Sequence, residues 1–155
     1  MSFAADGQGI PLDSVPEAAG AITPFRAVWQ DGSNETAALS VTNQATTILK
    51  SPMGIFYGGG SGTDGAAADG DTGLDVRIGS GLRIEAGATL VRGQQWFSEY
   101  SATAANQGRA MPVGSVTLLT DGTTQYACGV VEVGAEVGEI AIVTFASTTM
   151  IDTDT

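Results

Sequence analysis

Two segments, TQYACGVVEV at Thr124–Val133 and EIAIVTF at 139–145, decide how this chain folds. GAEVG at 134–138 joins them, and TDGT at 120–123 sets Asp-Gly between β-forming residues, the signature of a tight hairpin turn just upstream. Side chains alternate across a strand. Tyr126, Cys128 and Val130 therefore share one face, and Ala127, Gly129, Val131 and Val133 the other; Ile140 and Ile142 oppose Ala141, Val143 and Phe145. Neither strand has a wet side. A strand apolar on both faces has to be covered on both. In a chain of 155 residues, one of those covers is expected to be a second copy or a partner surface.

The rest of the chain agrees with a β architecture. Residues 22–30 (ITPFRAVWQ) predict a first strand, stopped by the turn cluster DGSN at 31–34. A weaker strand is expected at 36–41. A stronger one covers 48–57 (ILKSPMGIFY), where Pro52 demands an edge or a bulge. Segment 74–85 shows the cleanest alternation. Leu74, Val76, Ile78, Leu82 and Ile84 share one parity, and Asp75, Arg77, Arg83 and Glu85 the other. A continuous strand, or a three-residue loop with a bulge at Gly79, Ser80 and Gly81, keeps the apolar set together. Short strands follow at 88–91, 94–100, 109–113 and 116–119, with turns at Ala86-Gly87 and Arg92-Gly93 and a polar loop at 101–108. No amphipathic helical stretch is present. Strands this short and regularly spaced predict an all-β fold, a small antiparallel β-barrel or sandwich.

Three parts flank or interrupt that domain, taken as 22–148. Residues 1–21 lack periodicity and are read as an extended N-terminal arm that orders on a partner, with Phe3, Ile10, Leu12 and Val15 as anchors; the plainer reading is a loose terminus. Segment 58–73 (GGGSGTDGAAADGDTG) is expected to be a flexible surface loop, and 149–155 a C-terminal tail.

Composition narrows the function. The net charge is −11, with six basic residues scattered along the chain, which argues against nucleic acid or anionic membrane as partner. No run approaches the ~20 apolar residues of a membrane span, and residues 1–20 lack the pattern of a signal peptide, so a cytoplasmic origin is expected. There is no histidine, and the single cysteine, Cys128, reads as a small buried hydrophobe. A zinc site and any Ser-His-Asp or Cys-His catalysis are thereby excluded. We expect no cofactor, no metal and no enzyme activity.

Three motif matches are weak. Asp71-Thr72-Gly73 fits the aspartic-protease triplet but follows a solvated loop rather than an apolar strand. GSGTDG at 60–65 fits G-x-G-x-x-G with no helix after it to receive a phosphate. Asp64, Asp69, Asp71 and Asp75 supply oxygens for a hard cation without EF-hand spacing, and a solvated acidic loop explains them better.

Taken in order, several segments resemble the capsid decoration, or cement, proteins of tailed bacteriophages: ITPFRAV at 22–28, GLRIEAGATLVRGQ at 81–94, GRAMPV at 108–113, CGVVE at 128–132 and GEIAIV at 138–143. The resemblance implies a barrel-like homotrimer on the outer face of a virion's capsid shell, assembled in the bacterial host cytoplasm. Its partners would be the major capsid protein, whose neighbouring subunits it clamps, and further copies of itself. No catalytic residues come with that family. On this reading the arm anchors and the Trp96-Phe97 pair are expected to touch capsid or neighbour, although both aromatics also suit an ordinary core. The alternative is a virion-surface glycan-binding module, an adhesin stacking sugars on Trp29, Trp96 and Tyr100. A third reading, an aspartic-type hydrolase, rests on Asp71 alone.

Overall fold

The computed structural model describes residues 9–11, 17–30, 40–42, 52–99, 104–113, 124–146 and 149–152. Within them lie strands β1 (Ile10–Pro11), β2 (Glu17–Ala18), β3 (Arg26–Gln30), β4 (Ser40–Thr42), β5 (Gly54–Gly58) and β6 (Asp75–Glu85). They continue with β7 (Gln95–Ser98), β8 (Ala110–Pro112), β9 (Thr124–Val133), β10 (Ile140–Phe145) and β11 (Thr149–Asp152). Single 3-10 turns occupy Thr63–Gly65 and Ala104–Asn106, and no α-helix occurs among the described residues. The fold is all-β.

The strands hydrogen-bond in the order β2-β4-β3-β5-β6-β10-β9-β7-β8. From β3 to β8 this path holds seven strands, antiparallel throughout. It curls until its ends nearly meet. The Ala27 amide donates to the Gly108 carbonyl (2.8 Å), and Ala86 forms a parallel bridge to Ala110. The result is a nearly closed barrel, which leaves little sheet edge for stray pairing. β2 pairs with β4 in parallel, outside that path.

β6 is the spine. It is one continuous strand, and its apolar residues do not all serve one core. Val76 packs with Ala18, Ile22, Val28, Phe56, Ala67 and Leu74, whereas Leu82 and Ile84 pack with Ile55, Trp96, Cys128, Val131, Val143 and Phe145. Val28 and Phe56 alternate with Ala27 and Ile55 along β3 and β5, so the two clusters lie on opposite faces of the sheet. Half-buried Ile78 already packs against the inner cluster, so the change comes just after Val76; Gly79 and Gly81 follow, with φ angles of 115° and 67° that favour glycine. The alternation at 74–85 predicted one shared face; the strand instead divides its apolar residues between an inner and an outer core.

Two further segments singled out in the sequence can be placed on this sheet. Segment 58–73 lies at the surface with most of its residues exposed, and it is tied to the sheet through Ala67. Ile22 and Ala67 form a bridge, and Ala67 is buried, as is Leu74 just after the segment. The Asp71 carboxylate knots the segment by accepting from the Ser61 amide (2.8 Å), the Ser61 hydroxyl (2.9 Å) and the Ala68 amide (2.8 Å). The Asp71 carbonyl also accepts from the Ala18 amide (2.8 Å). Parts of the N-terminal arm pair inside the chain's own sheet: Ile10 opposite Ile78, Pro11 opposite Arg77, and Glu17 and Ala18 beside Ser40 and Val41. The expected turn at 120–123 and strand at 116–119 lie outside the described residues.

Candidate interaction surface

The β9–β10 hairpin was expected to lack a wet side, and its register shows what each side does. Val143 opposes Val131, and Ala141 opposes Ile84 of β6. All four are buried in the inner core with Phe145. On the other face Ile142 opposes both Val133 and Arg83, and Ile140 opposes Glu85. Directly opposed side chains in a sheet share a face. That outer face is apolar and uncovered: Val130 is 40% exposed, Val133 56% and Ile140 42%. At the hairpin tip, Val137 is 58% exposed and the adjoining Val91 56%. Of the large apolar side chains exposed among the described residues, three lie on this strand face and the other two in the turns at its tip.

Local chemistry holds the stripe in place. A bulge shifts the register between Ile142 and Val143 against β9, and the Thr144 hydroxyl accepts from the Val130 amide (2.8 Å). Gly129 has to be glycine there, because a Cβ would overlap the Thr144 carbonyl oxygen. The Glu132 carboxylate takes the Gly81 amide of β6 (3.1 Å). At the tip Leu90 bridges Ala135, and the Thr89 hydroxyl donates to Glu136 (2.7 Å).

Charge is distributed unevenly around this face. The ion pairs among the described residues use Arg26 with Glu85 (2.7 Å), Arg77 with Asp75 (2.7 Å) and Arg109 with Glu99 (2.9 Å). Arg26 is buried and also donates to the carbonyls of Ala105 (2.7 Å) and Gln107 (3.1 Å), which ties β3 to the turn before β8. Arg77 stacks 4.4 Å over the Tyr57 ring, which meets Phe25 edge-on at 5.4 Å. Burial pushes the Tyr57 phenol above its ordinary range, and the hydrogen bond from the Arg83 amide works against it. Arg83 and Arg92 belong to none of these ion pairs. Both are exposed, Arg83 beside Ile142 and Arg92 next to Val91.

The residues singled out in the sequence are placed as follows. Trp96 is fully buried, its indole N–H donating to the Thr144 carbonyl (2.8 Å) and its ring 6.1 Å from that of Phe145. Phe97 is buried beside it in sequence. Both aromatics are interior to this chain, on β7 between β8 and β9. Trp29 is buried too, so neither tryptophan offers a sugar-stacking platform, and Tyr100 lies outside the described residues. Ile10 sits on β1 against β6, while Phe3, Leu12 and Val15 lie outside the described residues.

Cys128 is buried and its thiol is pushed up to about 12 by desolvation, so it is not a nucleophile at neutral pH. Asp71 holds a loop together, with its carboxyl kept below the usual aspartate range by the Ala68 and Ser61 donors. No group of three or more carboxylates, cysteines or histidines among the described residues is placed to hold a metal ion. Val137 and Val91 were not singled out in the sequence, whereas Val130, Val133 and Ile140 were named there only as members of strands lacking a wet side. Their signal was the missing polar alternation, which the hairpin announces without saying which face stays bare.

No known protein family matches the chain, and no curated protein does. Its fold is similar to that of the N base of head fiber gp8.5 in bacteriophage phi29, known from a crystal structure. The two share 10% sequence identity with a TM-score of 0.58, covering 90% of this chain and 98% of the other. At that identity the likeness is one of fold.

Proposed function

We propose that this chain is a non-enzymatic structural protein of a bacteriophage virion, seated on the outer surface of the capsid shell as a cement protein. It would act by burying surface, clamping neighbouring major capsid subunits as a homotrimer. The observation that carries the reading is the fold shared with the base of a phage head fiber across almost the whole of both chains. The ordered segments that resemble cement proteins support it independently, as does the bare apolar stripe on a chain of net charge −11. Contacts of ~1,600 Å² repeated over a symmetric shell add up through avidity, so no single one has to be tight.

The test uses purified full-length chain with capsid shells of the virus whose genome encodes it. Co-sedimentation is expected with expanded shells and absent with unexpanded ones, and density for the chain is expected on the outside of decorated particles. A chain that ignores both forms of shell, or that appears inside the particle, defeats the proposal.

A further inference from the structure

Resting on the virion reading above, we infer that the bare stripe on the β9–β10 hairpin is where one copy of this chain meets another. Apolar surface is concentrated there: of the five large apolar side chains exposed among the described residues, Val130, Val133 and Ile140 lie on the hairpin's bare face and Val137 and Val91 at its tip. The largest exposed apolar patch on a typical monomer, ~300–600 Å², is often a functional surface. The rim then selects the occupant. Arg83 and Arg92 border the stripe outside any ion pair of the described residues, and Glu136 and Glu139 border it at the tip. Among the described residues those two carboxylates meet neutral donors, the Thr89 hydroxyl and the Glu136 amide, and no cation.

A matching surface has to bring apolar side chains together with both carboxylates and cations. A second copy brings all three through the same residues. Other occupants fit less well. A glycan would be met by aromatic rings, and the stripe is built of valine and isoleucine. An anionic lipid surface or a nucleic acid would meet two arginines on a chain of net charge −11. Around a symmetry axis, the apolar stripe forms the dry centre and the mixed charges its rim, the usual anatomy of a protein interface.

The experiment is sedimentation equilibrium of the full chain over a concentration series, for the wild type and for Val133→Asp combined with Ile140→Asp. Both positions are exposed in the single chain, so the circular dichroism spectrum should not change. Should that variant fail to fold, Val133→Thr with Ile140→Thr keeps β-branching and carries the same test. The wild type should assemble with rising concentration, and the variant should associate about a hundredfold more weakly, about tenfold per side chain. A wild type that stays monomeric, or a variant that assembles as well as the wild type, overturns the inference. Shell binding measured in parallel separates the two readings. If the wild type assembles but ignores shells, the virion reading falls and this interface stands. If a monomeric wild type binds shells and the variant does not, the stripe belongs to the shell and the copy-to-copy contact is refuted.

Discussion

Replacing Trp96 separates a core residue from a contact residue. The indole fills the inner core with nothing of it exposed, packs near Phe145 and donates to the Thr144 carbonyl. Trp96→Phe keeps an aromatic ring and removes the hydrogen bond, at about 1–3 kcal/mol where nothing replaces it. Trp96→Ala also opens a cavity among Cys128, Val143 and Phe145, for a total of about 3–5 kcal/mol. In a chain of this size each kcal/mol moves the melting temperature by about 2–4 °C, so the alanine variant should melt roughly 6–20 °C lower. Thermal and urea unfolding followed by circular dichroism measures this, at one fixed protein concentration because assembly itself raises apparent stability. Variant that remains folded should bind shells as the wild type does. If Trp96→Ala costs less than about 1 kcal/mol yet abolishes shell binding, the residue is a contact and its interior placement is wrong.

Two further outcomes concern single groups. Asp71 has a folded pKa below its ordinary 3.8, so its contribution to order in 58–73 is complete above that value and is lost as pH falls through the lower folded one. The Ser61 and Ala68 amide resonances should titrate with a midpoint under 3.8, and in Asp71→Asn that transition should vanish; a midpoint at or above 3.8 contradicts the knot. Cys128 should resist a thiol reagent at pH 8 in the folded protein and react fully in urea, because burial holds the thiol near 12. Rapid labelling of the native chain would place the residue outside the core.

Much of the architecture was legible because alternation survives without context. Thr124–Val133 and Asp75–Glu85 emerge as strands within a residue of where their patterns predicted them, and Ile140–Phe145 starts one residue late because Glu139 belongs to the turn. What stayed hidden is what depends on tertiary neighbours. Nothing in GGGSGTDGAAADGDTG tells that Asp71 gathers Ser61 and Ala68, since the donors come from ten and three residues away and only the folded loop aligns them. Arg26 and Glu85 lie 59 residues apart, and no local pattern couples them. The Trp96-Phe97 pair was equally compatible with an interface or an interior, and pairing with β8 and β9 chose the interior. For the stripe, the sequence announced a hairpin with no polar side, and the fold identified the bare one as that of Val130, Val133 and Ile140.

The way β6 is flanked dictates when this polypeptide can fold. Ile10 docks on Ile78, and Phe145 docks on the very next residue, Gly79, along the same edge. The central strand therefore gains its full set of neighbours only after nearly the whole polypeptide has left the ribosome. Such distant pairings close in milliseconds to seconds rather than microseconds. Until then the segments destined for both cores are exposed together, so high-level synthesis should make this protein a client of the producing cell's chaperones.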